Sequence, residues 1–94
     1  MIVLNVLYHC KPGMREAFFN AINAEGLAAA CRAEEGNICY SYYMAADAPD
    51  EMLLLERWKD AEALAEHMQL AHFKRIGELK DEFVIETQIS RYEA

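Results

Sequence analysis

Residues 53–76, LLLERWKDAEALAEHMQLAHFKRI, change from strand-like to helix-like sequence within a few positions. Residues 53–58 belong to the segment MLLLERW, residues 52–58, which has the apolar composition of a strand. Side chains alternate between the two faces of a strand, so Glu56 and Trp58 share one face. Asp60 follows and is a residue type that caps helix N-termini, which predicts a helix from there to about residue 70.

The helical part of this stretch has an expected apolar stripe at Ala61, Leu64, Ala65 and Met68. His67 borders that stripe. A break at LAH, residues 70–72, is expected to precede a second helical segment that runs to about residue 79. One strand and two helical segments therefore follow one another here.

The chain begins with MIVLNVLYH, residues 1–9, which predicts a first strand that ends at the turn KPG. One face of this strand is entirely apolar or aromatic: Ile2, Leu4, Val6 and Tyr8. The other face places Asn5 and His9 among aliphatic residues. A buried Asn5 amide needs a hydrogen-bond partner, and either a neighbouring strand or an oxygen of a bound ligand could supply it.

Residues 14–34 have helical spacing, and Gly26 in their middle weakens the helix prediction. The apolar stripe of this helix comprises Phe18, Ile22, Leu27 and Cys31. Gly36, in EEGN, is the expected C-terminal cap. The aromatic segment ICYSYYM, residues 38–44, predicts a second strand, and FVIETQISRY, residues 83–92, predicts a fourth.

The order strand, helix, strand, strand, helix, strand predicts an α+β fold: a ferredoxin-like sandwich in which helices cover one face of a four-stranded antiparallel sheet. We expect a single domain over residues 1–94, because so short a chain supports one core. The other sheet face is apolar and has an area of roughly 350 Å². Burying two such faces would contribute on the order of 15 kcal/mol, against about 4 to 15 kcal/mol for association. The sequence therefore predicts a homodimer formed through the sheet faces.

The composition limits the partners and the compartment. Sixteen acidic and nine basic residues give a net charge of -7, which disfavours nucleic acid and anionic membranes. No run approaches a membrane span and the N-terminus lacks the features of a signal peptide, so we expect a soluble cytoplasmic protein. Cys10, Cys31 and Cys39 show no C-x-x-C spacing and are assigned no role.

Several polar side chains could carry chemistry, although a structural role is the commoner one for a lone tryptophan such as Trp58, and a structural or solvated role for a single histidine. His67 and His72 are five residues apart, which on a continuous helix separates them by about 140° and argues against a metal site. Glu56 in a partly apolar pocket would be a candidate base with a raised pKa. Tyr40 and Tyr42 share a strand face and could line either a pocket or an interface.

Three segments, KPGMREAF, AEEGNICY and LLLERWKDAEALAEHMQLAHFKRI, resemble in order and spacing the antibiotic biosynthesis monooxygenase domain family. The resemblance covers about residues 2–80 and includes an E-x-G motif, an E-x-W motif and an H-x-x-x-x-H-F motif. It implies a dimeric α+β barrel with a pocket between sheet and helices in each subunit. It also implies that Asn5 and Trp58 line that pocket, and that His67, His72 and Phe73 belong to its helix motif.

The resemblance implies a monooxygenase that oxidises a small quinol or phenol with dioxygen and uses no cofactor. Haem is not expected, because RIGELK stands where the haem-degrading members have their axial histidine. Two alternatives remain: an isomerase or processing enzyme for a phosphorylated autoinducer-like carbonyl compound, and a dimer that binds a small ligand without turnover.

In the monooxygenase hypothesis a histidine removes a proton from the aromatic substrate, and His67 is favoured over His72. Asn5 and the Trp58 indole NH would donate hydrogen bonds to the resulting anion. The substrate would also contact Glu56 and three aromatic residues: Tyr40, Tyr42 and Phe73.

Overall fold

The computed structural model describes all residues 1–94. Its elements are β1 (Ile2–Cys10), α1 (Arg15–Ala24), α2 (Leu27–Arg32), β2 (Asn37–Met44), β3 (Glu51–Trp58), α3 (Ala61–His67), α4 (Ala71–Phe83) and β4 (Val84–Glu93). The strands form one sheet in the order β2-β3-β1-β4, and β1–β3, β1–β4 and β2–β3 are all antiparallel pairs. The predicted ferredoxin-like α+β fold is confirmed.

The strand register decides which side chains face the helices. Glu56 on β3 lies opposite Leu4 on β1 and Tyr40 on β2, and all three are buried. Since directly opposed residues of an antiparallel pair share a face, these side chains form one row beneath the helices. Trp58 lies two residues further along β3 on the same face, as expected.

The core lies between this sheet face and the helices. Phe18 and Ile22 of α1 are completely buried, as are Met52 and Trp58 of β3. The ring of Phe18 meets the ring of Tyr8 edge to face, with the ring centres 5.2 Å apart, a preferred aromatic geometry. None of the helices is long and apolar enough to cross a membrane.

The helix expected over residues 14–34 is in fact two helices. Gly26 has φ of 69°, in the left-handed region, and separates α1 from α2. Glycine adopts this conformation without the steric penalty of a Cβ atom. Gly26 therefore turns the chain between two short helices rather than merely weakening one long helix.

Gly36 does not cap a helix, contrary to expectation. The helix α2 ends at Arg32, and the φ angle of Gly36 is not positive. A Cβ atom on Gly36 would overlap the Cβ of Ala63 in α3, and its carbonyl accepts a hydrogen bond from the Lys59 amide at 2.9 Å. Gly36 is the residue that permits close contact between the start of β2 and α3.

The buried face of α3 differs from the expected stripe. Ala63, Leu64 and His67 are its buried residues, whereas the remaining members of the expected stripe, Ala61, Ala65 and Met68, are exposed. Ala63 lies against Gly36, and the imidazole of His67 packs on Trp58 with ring centres 4.4 Å apart. Asp60 caps the helix as predicted, since its Oδ1 accepts a hydrogen bond from the Ala63 amide at 2.9 Å.

No helix covers the opposite face of the sheet. Val3, Asn5 and Leu7 of β1 lie on that face and are only partly buried, as are Leu53 and Leu55 of β3. The uncovered apolar face expected from the sequence is thus present in the single chain. Its burial in a homodimer stays a prediction.

Candidate functional site

A cavity of about 140 Å³ lies between the sheet and helices α3 and α4. Most of its wall is apolar, and Phe73 contributes an aromatic side chain from α4. The polar groups that reach it are Tyr8, Tyr40, Glu56, His67 and Lys80. An apolar cavity with a few converging polar groups is the usual form of a small-molecule site.

Glu56 lines the cavity from β3, whereas Trp58, which was expected to line it, lies outside the wall and bonds to Glu56. The Trp58 indole Nε1 donates a hydrogen bond to Glu56 Oε1 at 3.0 Å, and both residues are buried. Burial raises the pKa of Glu56 to about 7, an effect that the Trp58 hydrogen bond opposes and that nearby Glu34 reinforces. Glu56 can therefore hold or release a proton near neutral pH.

His67 forms the helix side of the site. Its Nδ1 lies 2.6 Å from Glu34 Oε2, and its Nε2 lies 3.9 Å from Glu56 Oε1. Burial lowers the pKa of His67; the Glu34 hydrogen bond and charge oppose this shift, and His72 reinforces it. A neutral imidazole that donates Nδ1–H to the Glu34 carboxylate keeps a free lone pair on Nε2, which then serves as the acceptor that faces Glu56.

His72 contacts the same carboxylate but lies outside the cavity wall. Its Nε2 is 2.8 Å from Glu34 Oε2, so one oxygen atom contacts both imidazoles. On a continuous helix His67 and His72 would point in directions about 140° apart, which argued against a metal site. That argument does not hold, because α3 ends at His67 and α4 begins at Ala71. The three-residue interruption lets both side chains turn towards the end of α2.

Glu34 was not among the candidate residues, although the sequence contained a signal for it. It is the first residue of the E-x-G motif, which precedes β2. Cys31, one helical turn earlier, is completely buried, and burial raises the pKa of its thiol to about 12. Ligand-type atoms of Cys31, Glu34, His67 and His72 all lie within 4.8 Å of one another, so these residues could hold a metal ion.

The structure does not bring Asn5 to this site. Asn5 pairs with Leu55 and Ser90 across the sheet and lies on the uncovered face, because odd-numbered residues of β1 point away from the helices. The Trp58 indole NH is already bonded to Glu56. Neither group is therefore placed to donate to an anion in the cavity, and the polar strand residue that meets the helix histidine is Glu56.

The expected aromatic walls are partly present. Tyr40 and Phe73 line the cavity, while Tyr42 does not. The Tyr42 hydroxyl donates to the Tyr40 hydroxyl at 3.5 Å, and burial raises the pKa of both phenols above the ordinary value. Both tyrosines therefore stay protonated at neutral pH.

Comparison with known proteins identifies a family. A family model described as "Antibiotic biosynthesis monooxygenase" matches residues 1–79. "Putative monooxygenase YcnE" of Bacillus subtilis (strain 168) is 38% identical over 74 residues, covering 79% of this chain and 76% of that protein.

Solved structures with the same fold cover nearly the whole chain. A conserved protein from Methanosarcina mazei Go1 is 32% identical with a TM-score of 0.87, covering 98% of this chain and 90% of that one. A protein of Nitrosomonas europaea titled "Putative antibiotic biosynthesis monooxygenase" has a TM-score of 0.89 at 24% identity, covering 100% and 98% of the two chains. At that identity the second likeness shows the fold alone.

Proposed function

This chain belongs to the antibiotic biosynthesis monooxygenase family, and from that membership we propose that it oxidises a small phenol or quinol with dioxygen and without a cofactor. The observation that carries the proposal is the position of His67 Nε2. This atom faces Glu56 within a largely apolar cavity, while Nδ1 is held by Glu34. The arrangement supplies a buried base in a largely apolar site.

The size of the cavity favours a substrate with one aromatic ring. Its volume is about 140 Å³, and an apolar protein cavity of about 150 Å³ holds one benzene molecule. Phe73 and Tyr40 offer aromatic surfaces to such a ring. The substrate class proposed is therefore monocyclic.

In the first step His67 Nε2 accepts the proton of the substrate hydroxyl. The imidazolium that forms is stabilised by the Glu34 carboxylate at Nδ1. General base catalysis of this kind typically contributes about 10² to 10⁴ in rate. The resulting phenolate is a far better electron donor to dioxygen than the neutral phenol.

The remaining steps use electrons from the substrate alone. A phenol and dioxygen give a quinone and water: one oxygen atom enters the ring as the new carbonyl, the C–H bond at that ring carbon and the O–O bond break, and the other oxygen leaves as water with the protons from that C–H group and from the phenol hydroxyl. The substrate supplies all four electrons. Glu56, with its pKa raised to about 7, supplies a proton to the departing oxygen and is reprotonated from the imidazolium.

An oxygen electrode tests the proposal directly. Chelator-treated protein is assayed with monocyclic and bicyclic phenols and quinols, in air and under nitrogen. We expect oxygen uptake with monocyclic substrates, no turnover under nitrogen, and a loss of about 10² to 10⁴ in His67→Gln. The exposed His9→Gln is the matched control and keeps the activity.

Two results would contradict this function. Turnover that proceeds equally under nitrogen would indicate an isomerase, for which phosphorylated carbonyl compounds are tested in parallel. Substrate binding without oxygen uptake, seen across the panel by calorimetry, would indicate a binding protein.

A further inference from the structure

Three chain segments bring metal-binding side chains together behind the cavity. Cys31 lies in the last turn of α2, and Glu34 lies in the turn that follows this helix. His67 ends α3 and His72 stands near the start of α4. One sulfur, one oxygen and two nitrogen atoms from these residues lie within 4.8 Å of one another.

The spacing of these atoms is close to that of a four-coordinate site. With metal–nitrogen and metal–oxygen bonds of about 2.0 Å, tetrahedral geometry separates neighbouring ligand atoms by about 3.3 Å. Glu34 Oε2 lies 2.6 Å from His67 Nδ1 and 2.8 Å from His72 Nε2. Small rotations of the Glu34 side chain, which lies outside regular secondary structure, would open these distances enough for an ion.

We propose that Cys31, Glu34, His67 and His72 form a binding site for a divalent transition metal ion, with Zn²⁺ the preferred one. One thiolate, two imidazoles and one carboxylate are donors that Zn²⁺ takes in tetrahedral sites. Mg²⁺ and Ca²⁺ prefer sites made of oxygen alone and do not suit this donor set. On binding, the Cys31 thiol releases its proton to solvent, and the ring proton of His67 moves from Nδ1 to Nε2.

An ion can reach the cluster from one side. The side chains of His72 and Glu34 are 19% and 12% exposed, whereas that of His67 is 3% exposed and Cys31 is completely buried. The ion would therefore meet His72 and Glu34 first and Cys31 last. His67 is the one member that also lines the cavity, and its Nε2 lies 3.9 Å from Oε1 of Glu56, another residue of the cavity wall.

Cobalt is the probe that tests the site. Protein treated with EDTA and dialysed is titrated with Co²⁺, which adopts tetrahedral sites and absorbs visibly, with an additional near-ultraviolet band when a thiolate is bound. We expect one Co²⁺ per chain, a thiolate band, and displacement by one equivalent of Zn²⁺ but not by excess Mg²⁺. Cys31→Ser should lose the thiolate band, and His72→Gln should bind Co²⁺ at least about tenfold more weakly.

Cys39→Ser and His9→Gln are the matched controls, because both residues lie outside the cluster, and both variants should bind as the wild type does. The proposal is wrong if folded wild-type protein shows no thiolate band. It is equally wrong if the band survives in Cys31→Ser or is lost in Cys39→Ser. If Cys31→Ser does not fold, His72→Gln tests the proposal by itself, because His72 is partly exposed. Undiminished Co²⁺ binding by His72→Gln would then overturn the proposal. The titration contains no substrate, so its outcome is independent of the proposed oxidation.

Discussion

Nδ1 of His67 lies 2.6 Å from Oε2 of Glu34, a contact that ties the end of α3 to the turn after α2. A carboxylate at this nitrogen fixes the tautomer of the ring and stabilises its protonated form. The residue that orients the proposed base thus comes from a segment 33 positions away in the sequence.

Replacing Glu34 with Gln should impair the proposed oxidation. Gln can still accept the Nδ1–H bond but carries no charge, so we expect the rate to fall about tenfold or more. Because Glu34 raises the pKa of His67, the acid limb of the rate profile should also move to lower pH. Glu35→Gln, at a side chain that is 95% exposed, is the control; an unshifted profile in Glu34→Gln would contradict the orienting role.

Glu56 should make the protein less stable as the pH rises. Its folded pKa, about 7, is above its ordinary value of 4.5, so its protonated form stabilises the fold fully below about pH 4.5. That contribution is lost as the pH rises through about 7. The unfolding free energy of Glu56→Gln minus that of wild type should therefore increase by up to roughly 3 kcal/mol from pH 4.5 to pH 8.

Urea unfolding of wild type and Glu56→Gln in EDTA measures this difference. Because the pKa of His67 is lowered, His67 changes the stability with pH in the opposite direction to Glu56. His67 is present in both proteins, so its contribution largely cancels in the difference. A difference in unfolding free energy that stays constant from pH 4.5 to pH 8 would show that the pKa of Glu56 is not raised.

Two glycines should respond to alanine in opposite ways. Gly36→Ala forces a Cβ atom into that of Ala63, whereas a Cβ at Gly77, inside α4, meets nothing within 4 Å. We expect Gly36→Ala to destabilise the protein by about 1 to 3 kcal/mol. Gly77→Ala should stabilise it by about 0.5 to 1 kcal/mol, because alanine favours the helix.

Thermal unfolding compares the two variants, and Gly36→Ala combined with Ala63→Gly identifies the cause. Removing the Ala63 methyl should restore part of the stability lost in Gly36→Ala. If the second change only adds a further loss, the contact between these two residues is not what limits position 36.

The uncovered sheet face should mediate self-association. Leu55 is a partly buried residue of that face, and Leu55→Glu would place a charge at the centre of a paired interface, where an unpaired charge is strongly unfavourable. Sedimentation velocity at micromolar concentration should show a dimer for wild type and a monomer for Leu55→Glu. Leu70→Glu, at an exposed residue between α3 and α4, should remain dimeric; a wild-type monomer would refute the predicted dimer.

Zinc should inhibit the proposed oxidation. An ion on Nδ1 of His67 leaves the ring proton on Nε2, which then donates and no longer accepts a proton. We expect one equivalent of Zn²⁺ to abolish oxygen uptake and EDTA to restore it, while His72→Gln should require at least about tenfold more Zn²⁺. Full activity in protein shown by the cobalt competition to hold Zn²⁺ would mean that Nε2 is not the base.

The elements were predictable because their signals are local. Alternation placed Glu56 beside Trp58, and Asp60 was correctly identified as the cap of α3. The break at Gly26 was harder, since a single glycine is compatible both with a weak point in a helix and with a left-handed turn.

The site was less predictable because its contacts join distant segments. Glu34 and His67 meet only after the helices pack, and the angle calculated between His67 and His72 on one continuous helix did not apply because the chain breaks between α3 and α4. For Asn5, alternation correctly assigned the strand face but left undecided which face the helices would cover. The fold decides that question through the larger apolar surface of Ile2, Leu4, Val6 and Tyr8, all of which are buried.

The strand β3 serves both faces of the sheet at once: Glu56 and Trp58 point towards the helices, and Leu53 and Leu55 point away. A substitution in this strand changes one face and leaves the other intact. Inserting or deleting a single residue would exchange the two sets, so that Leu55 entered the site while Glu56 moved to the apolar surface. A change in length between Leu53 and Trp58 should therefore disrupt the site and the apolar surface together, whereas a substitution such as Leu55→Glu or Glu56→Gln affects only one of them.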